Sequence, residues 1–168
     1  MMRFSLTALT TNALYWRMIL AIGLGMEMVA LSYQYLLDYG PCPLCIHLRV
    51  GVLGFLLVSV SALLVRSQAW WRICHLLNVV VFVWLSERSY WLLGTEKGFA
   101  TSECGIDAGL PAWLALDKWL PAIFEPWESC GYTPTLLFEI TMAEVSIVIF
   151  PLLLLISVLL AAISIIRR

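Results

Sequence analysis

Two cysteines separated by two residues, Cys42 and Cys45, stand in the stretch Gly40-Pro-Cys-Pro-Leu-Cys45. Thiols at this spacing can close a small disulfide ring, hold a metal, or pass electrons as a dithiol–disulfide couple. Arg49 follows Cys45 by four residues and is embedded in an apolar run. A helix that begins near Cys45 puts Arg49 on the same face one turn on. The helix N-terminus and the guanidinium would then both favour a thiolate at Cys45, which is the reactive species. Three further cysteines are Cys74, Cys104 and Cys130. A four-cysteine zinc site ordinarily uses two close pairs. Cys104 and Cys130 are not a close pair and no histidine stands beside them, so no metal is expected. Haem attachment needs a histidine directly after the second cysteine, and residue 46 is Ile46. Structural disulfides are the remaining alternative. A Cys104–Cys130 staple could simply tie a loop, but a two-residue spacer closes so little chain that a Cys42–Cys45 bridge would stabilise weakly. That spacing points to redox work.

The elements that must position these thiols are membrane helices. Of 168 residues, 62% are hydrophobic and 12% charged, about half the charged fraction of a soluble domain, and mean hydropathy is +0.92. The net charge of −1 gives no footprint for a nucleic-acid partner. Four apolar segments, at about 18–37, 46–65, 73–93 and 145–166, reach the roughly 20 residues a spanning helix needs. The expected fold is therefore an all-α membrane protein, one integral membrane domain over residues 1–168. It is a four-helix bundle with two outer loops at about 38–45 and 94–144.

Arginine placement orients the bundle. Arg3 and Arg17 precede the first segment, Arg66 and Arg72 flank the link between the second and third, and Arg167 and Arg168 follow the fourth. With four spans these all fall on one side, which the positive-inside rule makes cytoplasmic. Both termini are then inside. Cys42, Cys45, Cys104 and Cys130 all fall on the outer, oxidising side, where disulfides form; only Cys74 falls at the inner end of the third segment.

Other residues call for an explanation. Glu27 lies near the middle of the first segment, where an ionised lipid-facing carboxylate is costly, and Gln34 is two turns further on. They read either as interhelical hydrogen-bond glue or as the lining of a cofactor or proton path. Ala21 and Gly25, and Gly51 and Gly54, are candidate close-packing positions. Tyr15 and Trp16 suit the inner membrane interface. Arg88, near the outer end of the third segment, is a second cation on the thiol side, either a snorkelling anchor or part of a polar-headgroup site. In the long loop, Trp113, Trp119 and Trp127 suit a segment lying in the membrane interface.

The chain resembles the DsbB family, membrane thiol oxidases of bacteria. The resemblance runs from about Leu14 to Ile163. It rests on Met26-Glu27 and Gln34, on Pro41-Cys-Pro-Leu-Cys-Ile-His-Leu-Arg49, on Phe99-Ala-Thr101 before Cys104, and on Leu116-Asp-Lys-Trp-Leu-Pro121 before Cys130. It implies an inner-membrane location with periplasmic cysteine loops, and an electron relay that reoxidises a periplasmic DsbA-like thiol oxidase. The partner's thiolate attacks a Cys104–Cys130 disulfide at Cys104, and Cys130 exchanges with the Cys42–Cys45 pair. Cys45 then reduces a bound quinone, ubiquinone or menaquinone, drawn from the membrane pool, with Arg49 beside both. DsbA-type partners lie near −120 mV, and for two electrons about 30 mV is 1.4 kcal/mol, so such a relay needs an acceptor of high potential at its end. Family members carry a histidine near the outer end of the third helix; here that region reads Ser86-Glu-Arg-Ser-Tyr90, so either Arg88 takes that polar role or the quinone contact differs. The competing readings are a non-catalytic membrane scaffold stapled by disulfides and a thiol relay running in the reductive direction.

Overall fold

The computed structural model describes residues 12–100, 105, 107–136 and 139–166. Cys104, Arg3, Arg167 and Arg168 lie outside the described residues. Four long helices are apolar enough to cross a membrane: α1 Ala13–Leu36, α2 Pro43–Leu64, α3 Gln68–Lys97 and α6 Met142–Ile166. Two short helices, α4 Leu116–Trp119 and α5 Pro121–Phe124, lie in the second loop after a 3₁₀ turn at Ala112–Leu114. The described residues contain no strand, only an isolated antiparallel bridge between Thr135 and Thr141. The all-α, four-span expectation is what the structure shows.

The boundaries differ from the apolar runs, and for local reasons. α2 begins at Pro43, near Cys45 as expected and three residues ahead of the apolar run, because Cys42 serves as the N-cap and Pro43 occupies the first helical turn, where its fixed φ and missing N–H carry no penalty. α3 extends to Lys97 and stops at Gly98, which has φ 76°, the left-handed conformation that glycine adopts without strain. At 30 residues it is about 45 Å long, more than the hydrocarbon thickness of about 30 Å. Its charged outer turns thus belong to the polar zone. α6 starts with a capping box: the Glu144 N–H donates to Thr141 Oγ1 at 3.3 Å and the Thr141 N–H donates to Glu144 Oε2 at 3.0 Å.

In the bundle α1 packs on α2, α2 on α3, and α3 on α6, while α1 and α6 are not a closely packed pair. Among lipid-solvated helices, association rests on close packing and polar contacts. The glycines that allow close approach are Gly23 and Gly51. A methyl group at Gly23 would lie 2.5 Å from Phe55 Cε2 and 2.7 Å from Leu56 Cδ2, and one at Gly51 would collide with Leu85. Gly25 has open space around it and Gly54 only ordinary contacts at 3.8 Å, so the Ala21–Gly25 pair is not a packing motif here. Tyr15 and Trp16 are buried instead of lying at the lipid interface. They stack with His75 of α3, at 5.2 and 4.7 Å between ring centroids. The Tyr15 hydroxyl lies beside Asn78 of α3 and Ser157 of α6. This polar-aromatic cluster closes the α1–α6 seam at the end away from Cys42 and Cys45.

The packing generates a contrast between two glycines. Gly51→Val should destabilise the detergent-solubilised protein by about 1–3 kcal/mol, the usual range for overpacking. Gly54→Ala should be neutral or stabilising, since alanine is favoured over glycine in a helix by up to about 1 kcal/mol. Thermal unfolding of both variants followed by circular dichroism checks the pair, and equal effects would contradict the packing described.

Candidate active site

Cys42 and Cys45 are joined in a disulfide. Cys42 is buried and Cys45 is partly exposed. The Cys45 N–H donates to Cys42 Sγ at 3.2 Å, so the thiol pair is built into the N-terminus of α2, and the positive end of the helix acts on both sulfurs. Cys130 is also disulfide-bonded. Cys74 is a free, buried cysteine on α3, 3.7 Å from Ser61 Oγ.

Cys45 opens onto a cavity of about 720 Å³. The wall is formed by α1, α2 and α6 with Leu92 from α3, and the roof by Tyr39, Gly40, Pro41, Pro134 and Leu136. It occupies the half of the α1–α6 seam nearer Cys42 and Cys45. Most of the lining is apolar; the polar side chains in it are Glu27, Tyr33, Tyr39, Arg49 and Ser146. Arg49 is only 7% exposed. Its Nη1 donates to Gln34 Oε1 at 2.5 Å and to the Ile123 carbonyl at 2.8 Å, and its Nη2 donates to the Ala30 carbonyl at 3.2 Å. A guanidinium carries five N–H donors, so two remain for another acceptor at the cavity. Gln34, fully buried, turns its Nε2 to the Ala122 carbonyl at 3.3 Å, and the Tyr35 hydroxyl donates to the same carbonyl. Gln34 is therefore glue between α1, α2 and the α5 turn. Glu27 is not: it is half-buried in the cavity wall and hydrogen-bonds to no described residue.

Arg88 is elsewhere. Its Nε lies 3.1 Å from Glu87 Oε2, its guanidinium sits 5.7 Å from the Trp84 ring centroid, and it is not part of the cavity wall. His47 Nε2 pairs with the Ala108 carbonyl at 2.8 Å, which ties α2 to the second loop. Ile46, Ala108, Leu116 and Phe124 form a small apolar cluster beneath that loop, while Trp113 (76% exposed), Trp119 and Leu120 point outward.

The two cysteine loops are held together by backbone. The Trp127 N–H donates to the Pro41 carbonyl at 2.9 Å. Gly40 is what permits this approach, because a methyl group there would lie 2.8 Å from Trp127 Cβ and 3.1 Å from Glu128 Cγ. Beyond Cys130, the Thr133 hydroxyl donates to Glu96 Oε2, and Lys97 Nζ bridges to Glu144 Oε1 at 2.7 Å. The segment bearing Cys130 is thus pinned on both sides. Sequence spacing could not disclose the Gly40–Trp127 contact; a glycine directly before Pro-Cys-Pro was the only hint.

A sequence profile of the family described as "Disulfide bond formation protein DsbB" matches residues 12–160. The chain belongs to the DsbB family. Among its relatives, a disulfide bond formation protein B of Shewanella frigidimarina is 31% identical over 140 residues, covering 79% of this chain and 80% of the relative. Disulfide bond formation protein B 2 of Pseudomonas aeruginosa is 32% identical over 142 residues, covering 83% and 84%. The family and the four apolar helices make this a multi-pass membrane protein of disulfide bond formation, with the disulfide-forming oxidoreductase activity of DsbB proteins.

The loop contact yields a test. Gly40→Val forces Trp127 away from Pro41 and should detach the second loop from the first. Limited proteolysis in detergent is expected to cut within residues 107–136 several-fold faster than in wild type, with the helical circular dichroism unchanged. Identical cleavage rates would mean that the two loops are held by other contacts.

Proposed function

We propose that this DsbB-family protein is a protein-disulfide:quinone oxidoreductase of the bacterial inner membrane. It reoxidises a periplasmic DsbA-like thiol oxidase and hands the electrons to the membrane quinone pool. The observation that carries this reading is the position of Cys45: half of a disulfide at a helix N-terminus, in the wall of an apolar cavity at the unpacked part of the α1–α6 seam. A scaffold needs neither the cavity nor a cysteine in its wall. A reductive relay needs a thiol path from the inner face, and Cys74 is the one cysteine there and is buried.

The residues present suit a quinone. The cavity takes a flat ring with an apolar tail, Met26, Val29 and Ile149 supply apolar contacts, and Arg49 has N–H donors to spare for a carbonyl oxygen. A bound quinone, ubiquinone or menaquinone, supplies a two-electron acceptor. The chain's own part is the relay. The partner's thiolate attacks Cys104 in the Cys104–Cys130 disulfide. Cys130, released as a thiolate, attacks the Cys42–Cys45 bond at Cys42 and frees Cys45; the partner's second thiolate displaces Cys104 from the mixed disulfide and leaves as the oxidised partner, and Cys104 then attacks Cys130, which regenerates Cys104–Cys130 and frees Cys42. Cys45 then delivers the electron pair at the cavity, with Arg49 stabilising its thiolate and the developing negative charge on the acceptor. The Pro41–Trp127 hydrogen bond supports the exchange step by keeping the two loops adjacent. Arg88, committed to Glu87 and Trp84, serves as an outer-surface cation in this scheme and leaves the cavity to Arg49.

Orientation follows from the arginines. Arg17 near the start of α1, Arg66 in the α2–α3 link and Arg72 near the start of α3 gather at the end of the bundle away from Cys42 and Cys45. Positive-inside placement puts both termini in the cytoplasm and the cysteine loops in the periplasm. The exposed Trp113, Trp119 and Leu120 rest in the outer membrane interface.

Purified protein supplied with a reduced DsbA-like partner and a short-chain quinone should form quinol. Cys45→Ser and Cys104→Ser should abolish it, and Arg49→Ala should lower the rate by about 10²-fold or more, the scale of losing one preorganised electrostatic contact. Loss of interloop exchange in Cys104→Ser should leave the direct reaction of a chemically reduced Cys42–Cys45 pair with quinone intact. Intact disulfides with no quinol from any quinone would overturn the reading in favour of a scaffold.

A further inference from the structure

Quinone reduction consumes two protons as well as two electrons, and the relay of cysteines accounts only for the electrons. We propose that Glu27 is the proton donor of the cavity, a role that rests on the quinone reading above. Three observations point to it. Glu27 is the only carboxyl group among the described residues that line the cavity. It shares that wall with Cys45 and Arg49, and Arg49 donates to the Ala30 carbonyl, three residues along the same helix. It also makes no hydrogen bond to any described residue, whereas Gln34, two turns along the same helix, is bound to Arg49 and Ala122. A carboxyl retained inside a membrane protein without a structural partner is costly, so a purely architectural role leaves Glu27 unexplained.

Helical rise places the group at the right level. Glu27 is nine residues below the outer end of α1 at Leu36, about 13 Å down, and Arg49 is six residues into α2 from Pro43, about 9 Å down. Arg49 reaches the Ala30 carbonyl, about one helical turn from Glu27, so the two polar side chains border neighbouring levels of the cavity, one carbonyl-binding and one proton-bearing. The quinone ring carries its two carbonyl oxygens at opposite ends, so Arg49 and Glu27 can each address one.

The balance is as follows. The Cys42 and Cys45 thiols close to a disulfide, releasing two electrons and two protons. The electron pair reduces the quinone. Glu27, as the neutral acid, gives its proton to one quinone oxygen, and the carboxylate so formed takes up one of the two thiol protons. The other thiol proton reaches the second oxygen. The sum is two thiols plus quinone giving disulfide plus quinol, with Glu27 returned to its starting state.

The test uses the full-length protein in detergent with a short-chain ubiquinone or menaquinone analogue. Wild type, Glu27→Gln and Glu27→Asp are compared by three readouts. Glu27→Gln should lower quinol formation by about 100-fold, the lower range for losing a positioned general acid, and Glu27→Asp should recover part of it. Thermal unfolding, quinone affinity and disulfide exchange with the reduced partner should stay within twofold of wild type in Glu27→Gln. Infrared difference spectra of quinone reduction in wild type should show a carboxyl C=O band that is absent in Glu27→Gln. Wild-type rates in Glu27→Gln, or no such band in wild type, would overturn the role of Glu27 while leaving the quinone reading in place. A wild type that binds quinone and never reduces it would overturn both. An unfolded Glu27→Gln variant alongside a silent wild-type spectrum would also count against the proposal, since a proton-transferring carboxyl must register there.

Discussion

The structure depends on how a buried guanidinium is satisfied. Arg49 lies inside the bundle, and an arginine at the centre of a spanning helix costs about 2.5–3.5 kcal/mol on insertion scales. Its cost is offset by hydrogen bonds to three acceptors, two on α1 and one on the second loop. The consequence is architectural. α1 must present Ala30 and Gln34 to α2, and the α5 turn must bring the Ile123 carbonyl down to the bundle. One side chain thereby ties two helices and a loop together, and Arg49 lines the cavity beside Cys45.

The bundle is uneven along its length for a related reason. At the inner end Tyr15, Trp16, His75 and Asn78 fill the space between α1, α3 and α6 with buried rings and polar groups. At the outer end the same seam holds a cavity of about 720 Å³. Protein interiors normally pack to crystal-like density with few voids larger than a water molecule. A space of this size, lined by Gly25, by small or flexible side chains and by Glu27 and Arg49, is the binding volume that the proposed quinone reading requires. Lipid-facing helices that were selected only to associate would close it.

The four helices were legible because long apolar runs bounded by arginines admit few alternatives, and the Cys-x-x-Cys pair was legible because so short a bridge does little structural work. The meeting of Gln34 with Arg49 was not, since it depends on the relative rotation of α1 and α2. Apolar periodicity is nearly silent about rotation when a helix faces lipid on one side and apolar packing on the other. The same blindness misassigned Tyr15 and Trp16 to the interface and chose Gly25 over Gly23, two positions that differ only in which face they occupy. The end of α3 lay beyond the apolar run because capping chemistry at Gly98 overrode hydropathy. Arg88 shows the limit of reading charges one at a time: its neighbour Glu87 and the Trp84 ring already occupy it.

In the proposed relay the two loops face opposing demands. Sulfurs must approach in line for exchange, so the segment bearing Cys130 has to move, yet the cavity must stay roofed to keep water from the reduced pair. The anchors reconcile these. Trp127 is fixed to Pro41, and Thr133 is fixed to Glu96 beside the Lys97–Glu144 bridge, so motion is confined to the few residues between them. Gly131 lies there with φ 129°, a conformation open to glycine and strained for other residues. With nothing packed around its α-carbon, it can turn without disturbing either anchor. A short hinged arm held at both ends delivers Cys130 to Cys42 or returns it to its partner while Pro134 and Leu136 remain over the cavity. A longer free loop would gain reach, but the entropy of bringing its ends together would weaken each encounter.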